Sequence, residues 1–158
     1  MRNGTKALLV VFVVAVAIAG VWPAQAQSKP NVVGTWKMNR AKSKFSSEGG
    51  PDAITIKFEQ KEASLQEWLT IGGAQGERTL ELSYKTDGSQ NAAQVDGQDM
   101  KTMAKWEGDS LLIVITDPRG GTFSRKFTIA DGGKAMTIAV HQSGPNGDKD
   151  DTVFLEKQ

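Results

Sequence analysis

Short segments in which apolar and polar side chains alternate recur through the chain from about residue 31 to its end. Alternation with a period of two places every second side chain on the same face of a strand, so each segment has one apolar face. Turns rich in glycine and aspartate separate the segments, such as Asp96-Gly97 and Asp131-Gly132-Gly133. The pattern predicts an all-β domain built as a single antiparallel meander of eight or nine strands.

Closure of the meander into a barrel is favoured over an open sheet. An open meander would leave two unpaired edges, and residues 151–157, the last strand segment, carry no special protection for one. A barrel of about eight strands has an interior that side chains fill or that holds one small ligand. A β-sandwich is the alternative, although immunoglobulin-like sandwiches usually need longer connections between strands.

The first 26 residues have the pattern of a secretory signal peptide. Arg2 and Lys6 precede fifteen uncharged, mainly apolar residues, 7–21, and Pro23 is followed by the small-x-small site at residues 24–26. The apolar run is shorter than the ~20 residues that a membrane-spanning helix needs. We therefore expect cleavage after Ala26 and export to the periplasm or the extracellular medium.

Cleavage would leave residues 27–158 as a single β-barrel domain of 132 residues, enough to bury a core without disulfides. Without Arg2 and Lys6, 17 basic residues remain against 18 acidic ones, a formal charge of −1. Such a chain lacks the basic stripe that binds nucleic acid and the polybasic segment that binds membrane surfaces. The absence of cysteine excludes disulfides and a lipid anchor. We expect a monomer with no nucleic-acid partner and no stable membrane anchor after cleavage.

The opening strand carries the residues of a family resemblance. Gly34-Thr35-Trp36 resembles the Gly-x-Trp motif of the calycins, the group that contains lipocalins and fatty-acid-binding proteins. Residues 153–157 look like the final calycin strand, with Lys157 near the position where a basic residue covers the tryptophan. The longer phrase from Gly34 to Phe45 is similar to the opening of small exported bacterial proteins with no assigned activity. The resemblance implies a calycin-like barrel with Gly34, Trp36 and Lys157 in structural roles, and a lipocalin-like function in binding a small hydrophobic ligand.

The segment after the first strand departs from that family. Fatty-acid-binding proteins insert a helix pair there, and the thirteen residues from Asn39 to Pro51 are too few for one. We predict an ordered polar loop with Phe45 as its one apolar anchor. If the barrel is completely filled, this loop is the site of the alternative function, an interaction or inhibitor module that acts through its surface.

Arg125 shares its strand face with Phe123, Phe127 and Ile129, so a regular strand would turn it into the barrel. A buried arginine needs an anion, because an unpaired buried charge costs several kcal/mol. A carboxylate ligand, bound through two hydrogen bonds, is one candidate, and fatty-acid-binding proteins use an interior arginine in this way. An internal Glu or Asp, or a bulge that turns Arg125 outward, are the alternatives.

Aromatic side chains on the predicted inner faces are candidates to line a pocket. Together with Arg125, the predicted ligand-binding residues are Phe58, Tyr84, Trp106 and Phe127. A solid core is the alternative fate of these aromatic residues.

No pattern in the chain indicates catalysis. His141 is the single histidine and alternation places it on the outer face, while no serine lies in a Gly-x-Ser-x-Gly motif. The acidic residues at 148–151 lack the spacing of an EF-hand. We therefore expect a non-enzymatic protein with no cofactor and no metal.

Overall fold

The computed structural model describes residues 29–47, 49–62, 64–145 and 147–158, so the predicted signal peptide at residues 1–26 lies outside the described residues. Within these ranges the chain forms ten strands: β1 (Gly34–Met38), β2 (Ala53–Lys61), β3 (Ser64–Gly73), β4 (Gly76–Lys85), β5 (Asp87–Val95), β6 (Gln98–Glu107), β7 (Ser110–Thr116), β8 (Thr122–Ala130), β9 (Ala135–Ser143) and β10 (Lys149–Lys157). Two single-turn 3-10 helices, Arg40–Lys42 and Asp131–Gly133, are the helical segments of the described residues, and neither could span a membrane.

The strands form one antiparallel sheet in the order β4-β3-β2-β1-β10-β9-β8-β7-β6-β5. Strands β4 and β5, at the two ends of this order, contact one another, so the sheet is nearly closed. They are joined by the turn at Thr86, and an ion pair of 2.6 Å between Arg78 and Asp96 links their far ends. The predicted all-β antiparallel barrel is thus confirmed.

The strand count is ten rather than the predicted eight or nine, because the sequence pattern missed β5. This strand contains Ser89, Gln90, Asn91 and Gln94, and most of its side chains are at least partly exposed. Its few apolar side chains give no strong alternation, and its place in the sheet comes from antiparallel pairing with β6. Strand formation here follows from the neighbouring strand rather than from local hydrophobicity.

One end of the barrel is closed around Trp36. Its side chain is fully buried, its indole Nε1 donates a 2.8 Å hydrogen bond to the carbonyl of Val32, and Lys157 is its partner residue on β10. The Lys157 ammonium lies 5.2 Å from the centre of the indole ring. Gly34 has φ of 129°, and a Cβ at this position would come within 2.9 Å of the Lys157 side chain. Glycine therefore permits the close approach of Lys157 to this strand.

Apolar side chains fill the closed half of the barrel. Phe58 and Phe127 meet edge to face, with ring centres 5.4 Å apart and planes at 79°. Around them lie further buried side chains from most of the strands, including Ile56, Leu65, Leu111, Ile113, Met136 and Leu155.

The outer face of the barrel carries Leu112, Val114 and Trp68, and the first two correct an expectation from the sequence. The continuous apolar run 111–115 predicts a strand covered on both faces, which is wrong: Leu112 and Val114 lie on the outer face and are partly exposed. The wall here is a single sheet, so nothing packs over that side of β7 among the described residues. Trp68 also lies on the outer face, where the Lys57 ammonium is 5.1 Å from its ring centre.

The described residues of the loop between β1 and β2 run along β10 and contain no helix pair. Lys44 and Thr152 exchange backbone hydrogen bonds of 2.7 and 2.8 Å, and the Ser46 amide donates to the Asp151 carboxylate at 2.6 Å. Phe45 is partly buried against the core, and a Cβ on Gly50 would come within 2.5 Å of its ring. These contacts hold the described part of the loop in place, with Phe45 as its apolar anchor, in agreement with the expectation from its sequence.

Candidate functional site

The end of the barrel opposite Trp36 is open. Alternate turns of an antiparallel meander lie at the same end, so this end carries the β1–β2 loop and the turns that follow β3, β5, β7 and β9. A cavity of about 810 Å³ opens here. Its apolar lining comes from Met100, Ile115 and Phe123, and polar residues at its rim include Arg119 and Gln142. The barrel therefore has a filled closed half and an open half that water or a ligand can enter.

Strand pairing places Arg125 directly beneath this lining. Ile115, Phe123 and Gln142 are register partners across β7, β8 and β9, and all three line the cavity. The next inward-facing partners are Ile113, Arg125 and Val140. Two residues along a strand span about 7 Å. Arg125 therefore belongs to the layer that separates the cavity from the packed core.

A buried ion pair crosses the barrel at this level. Arg125 is 3% exposed and Glu67, on β3, is fully buried. The guanidinium Nη1 donates to Glu67 Oε1 at 2.6 Å and Nη2 donates to Oε2 at 2.8 Å, which makes the contact bidentate. The Tyr84 hydroxyl accepts from Nη2 at 3.2 Å and donates to Glu67 Oε2 at 2.8 Å. We call Glu67, Tyr84 and Arg125 the buried triad.

Burial and the neighbouring charges shift the pKa of two members of the triad, Tyr84 and Arg125. Burial, followed by the charge of Glu67, raises the pKa of the Tyr84 hydroxyl well above its usual value, so the hydroxyl stays protonated. Burial alone would lower the pKa of Arg125, but the Glu67 carboxylate and Tyr84 outweigh it and raise the pKa. The bidentate contact pairs one guanidinium with one carboxylate, so the net charge of the triad is zero.

The structure thus turns Arg125 into the barrel and gives it an internal glutamate as partner, which was one of the alternatives from the sequence. Glu67 is absent from the sequence-based candidates, although the alternation along β3 places it on the inner face. It shares the parity of Leu65 and Leu69, two residues of the apolar face of β3. A carboxylate on an otherwise apolar inner face also needs a partner when it is buried, so the parity of Glu67 marks it as a candidate without naming the residue that it pairs with.

The aromatic candidates lie in the filled half. Phe58, Tyr84 and Phe127 are fully buried core residues, and Trp106 packs against the core near the β6–β7 turn. None of the four lines the open-end cavity. The filled-barrel alternative therefore describes this half of the molecule, while the open half has a cavity.

His141 lies on the outer face of β9, opposite Asp150 of β10. Its Nδ1 is 2.8 Å from Asp150 Oδ1, and its side chain is 45% exposed. The hydrogen bond to Asp150, assisted by the charges of Asp150 and Asp148, raises the pKa of His141 above its ordinary value of 6.5. The described residues contain no group of three or more His, Cys, Asp or Glu side chains that could hold a metal ion.

The His141–Asp150 contact predicts a pH dependence of stability. A histidine pKa that is raised by folding stabilises the fold fully below about pH 6.5, and this stabilisation is lost as the pH rises through the folded-state pKa. We expect the melting temperature of the wild type to exceed that of Asp150→Asn by more at acidic than at alkaline pH. Thermal melts of both proteins from mildly acidic to mildly alkaline pH measure the difference in melting temperature. A difference that does not change with pH would contradict the pairing.

Solved structures of similar fold include binding and transport proteins. A secretory abundant heat soluble (SAHS) protein from Ramazzottius varieornatus superposes with a TM-score of 0.63 and 11% identity, covering 84% of this chain and 98% of that chain. The wild-type fluorescent protein UnaG gives 0.60 and 15%, covering 80% and 97%. The Schistosoma mansoni fatty acid binding protein in complex with arachidonic acid gives 0.58 and 13%, covering 80% and 95%.

The barrel has the calycin fold. This confirms the resemblance that the Gly34-Thr35-Trp36 motif indicated. No protein-family model matches the sequence, and no curated protein matches it significantly. At these identities the likeness is one of fold, and the residues of this chain must carry any argument about function.

Proposed function

We propose that the mature chain is an exported, non-enzymatic protein that binds a small hydrophobic molecule in the open-end cavity. The observation that carries the proposal is the cavity of about 810 Å³ with Met100, Ile115 and Phe123 in its wall. Its volume lies within the range of roughly 300–1,000 Å³ that is usual for small-molecule sites.

The apolar wall supplies the driving force for binding. Met100, Ile115 and Phe123 are each partly exposed although they face inward. A hydrophobic ligand would remove this surface from water, with a gain of about 25 cal/mol for each Å² of apolar surface buried. The polar rim at Arg119 and Gln142 leaves room for a polar end of the ligand to stay near solvent.

Proteins of similar fold support this choice of ligand class. The Schistosoma mansoni protein is a fatty acid binding protein in complex with arachidonic acid, and another similar structure is described as a fatty acid transporter. The ligand contacts that we propose for this chain are Met100, Ile115 and Phe123 rather than the core aromatics Phe58 and Phe127. Arg125 lies below them.

Export rests on the pattern of residues 1–26 and is part of the proposal. Expression of the full chain in a bacterial host, followed by intact-mass measurement of the cytoplasmic, envelope and medium fractions, tests it. We expect a product that begins at Gln27, and a full-length product retained in the cytoplasm would contradict export.

A larger side chain in the cavity tests whether a hydrophobic ligand binds there. In Ile115→Trp a larger side chain occupies the cavity, so we expect at least about a tenfold loss of affinity for Nile red, a neutral hydrophobic dye. Fluorescence titration of the purified mature protein measures the affinity. The matched control is Val114→Trp, which places the same side chain at the next position, on the outer face of β7.

We expect the control to bind Nile red as the wild type does. Equal losses in both variants, or no loss in Ile115→Trp, would place dye binding elsewhere. Native mass spectrometry of the mature protein, purified without delipidation, would identify the class of any molecule that co-purifies.

A further inference from the structure

We propose that the buried triad makes the cavity selective for uncharged ligands, so that it prefers a fatty alcohol or ester to a free fatty acid with the same chain. The inference rests on the proposed function, because it concerns the ligand class of the same cavity.

The guanidinium of Arg125 is already bound by side chains of the triad. Both terminal nitrogens donate to the two oxygens of Glu67, and Nη2 also donates to Tyr84. A ligand carboxylate therefore finds its bidentate partner already occupied by an internal carboxylate. Binding it there would require displacing Glu67, which is fully buried.

The charges of Arg125 and Glu67 balance one another before any ligand binds. The triad is neutral as a whole, so a ligand carboxylate at the cavity floor would be a second negative charge beside a single positive one. An uncompensated charge in an apolar interior costs several kcal/mol or is neutralised by a proton. A neutral ligand avoids this cost.

The Arg125 guanidinium lies close to the lining of the cavity. Arg125 and Phe123 lie two residues apart on the same face of β8, and the guanidinium carbon is 5.9 Å from the centre of the Phe123 ring, which lines the cavity. A ligand that packs on Phe123 is therefore close to the Arg125 guanidinium, which is paired with Glu67.

The Nε atom of Arg125 is a donor that suits a neutral acceptor. Arg125 Nε is the one buried side-chain nitrogen or oxygen in the described residues that has no hydrogen-bond partner. A buried donor without a partner destabilises the folded protein, because it loses its hydrogen bonds to water and gains none in return. A hydroxyl, ester or ketone oxygen that reached it would satisfy a single N–H without adding a net charge.

The test compares three ligands that share one chain: lauryl alcohol, methyl laurate and laurate. Each ligand is titrated against Nile red bound to the mature protein, at a pH well above the ordinary pKa of a carboxylic acid, and the loss of dye fluorescence gives its affinity. We expect the wild type to bind the two neutral ligands at least about tenfold more tightly than laurate. In Glu67→Gln the positive charge of Arg125 is uncompensated, so we expect the affinity for laurate to rise by about tenfold or more.

The matched control is Glu81→Gln, the same chemical change at an exposed position on the outer face of β4. It should keep the preference of the wild type. The double variant Glu67→Leu/Arg125→Met removes both charges together with the unpaired Arg125 Nε donor. If Glu67→Gln does not fold, this variant supplies the test: it should bind lauryl alcohol and methyl laurate at least about fivefold less tightly than the wild type, because their oxygen has lost its donor.

Two results would overturn the inference while leaving the proposed function intact. One is equal affinity of the wild type for laurate and methyl laurate. The other is tight laurate binding that is lost in Arg119→Gln, which would place the carboxylate at the rim. If neither Nile red nor any of the three ligands binds the wild type, the proposed function fails and the inference with it.

Discussion

Replacing Arg125 by methionine is expected to lower the free energy of unfolding by about 3–5 kcal/mol. The substitution leaves Glu67 as a fully buried carboxylate whose only remaining side-chain partner in the described structure is the Tyr84 hydroxyl. One hydrogen bond cannot replace the hydration that the charge loses on burial. Urea denaturation of the mature wild type and variant, followed by circular dichroism, measures the difference.

The double variant Glu67→Leu/Arg125→Met separates lost charge pairing from lost packing. Apolar replacement of a buried ion pair is often neutral or stabilising, because the desolvation cost of both charges disappears. We therefore expect the double variant to be clearly more stable than Arg125→Met, and to lie below the wild type by about 1–3 kcal/mol, because the buried Tyr84 hydroxyl loses both of its side-chain partners. A double variant as unstable as the single one would show that shape, rather than charge, makes Arg125 important.

A surface ion pair provides the control for this experiment. Lys105 contacts Glu107 at 2.8 Å, and both side chains are about two-fifths exposed. Exposed pairs contribute about 0–1 kcal/mol, because solvent screens them. Lys105→Met should thus change the stability by about 1 kcal/mol or less.

The triad also shows where sequence reasoning reaches its limit. Alternation along β8 was sufficient to turn Arg125 inward, and the same rule applied to β3 would have turned Glu67 inward. Their pairing could not be predicted, since β3 and β8 are not neighbours in the sheet and meet across the interior. Periodicity assigns a face to each side chain but gives no partner on the opposite wall.

The fold was largely predictable, because nine of the ten strands have alternating or continuous apolar residues. Strand β5 has a polar sequence and is held by its pairing with β6. The position of the open-end cavity was also not predictable. Inner-face residues near the Trp36 end pack together, whereas Ile115 and Phe123 near the other end remain partly exposed. Which inner-face residues lie at which end depends on strand register, and the apolar pattern alone does not supply it.

Trp36 and Trp68 are expected to differ sharply although both lie in strands of the same sheet. Trp36 is fully buried at the closed end, so Trp36→Ala should lower the free energy of unfolding by about 3–5 kcal/mol. Trp68 lies on the outer face with its ring against Lys57, and Trp68→Ala should cost about 1 kcal/mol. The same urea titrations measure both values.

Two further variants divide the contribution of Trp36 between its parts. Trp36→Phe keeps an aromatic ring but removes the indole N–H that donates to Val32, so a loss of about 1–3 kcal/mol is expected from the unpaired carbonyl and the smaller ring. Lys157→Met keeps most of the aliphatic chain over the ring and removes the charge, at a cost of about 0.5–1 kcal/mol. If Trp36→Ala were no more harmful than Trp68→Ala, the closed end would not depend on Trp36. Its stability would then come from the remaining core around Phe58 and Phe127.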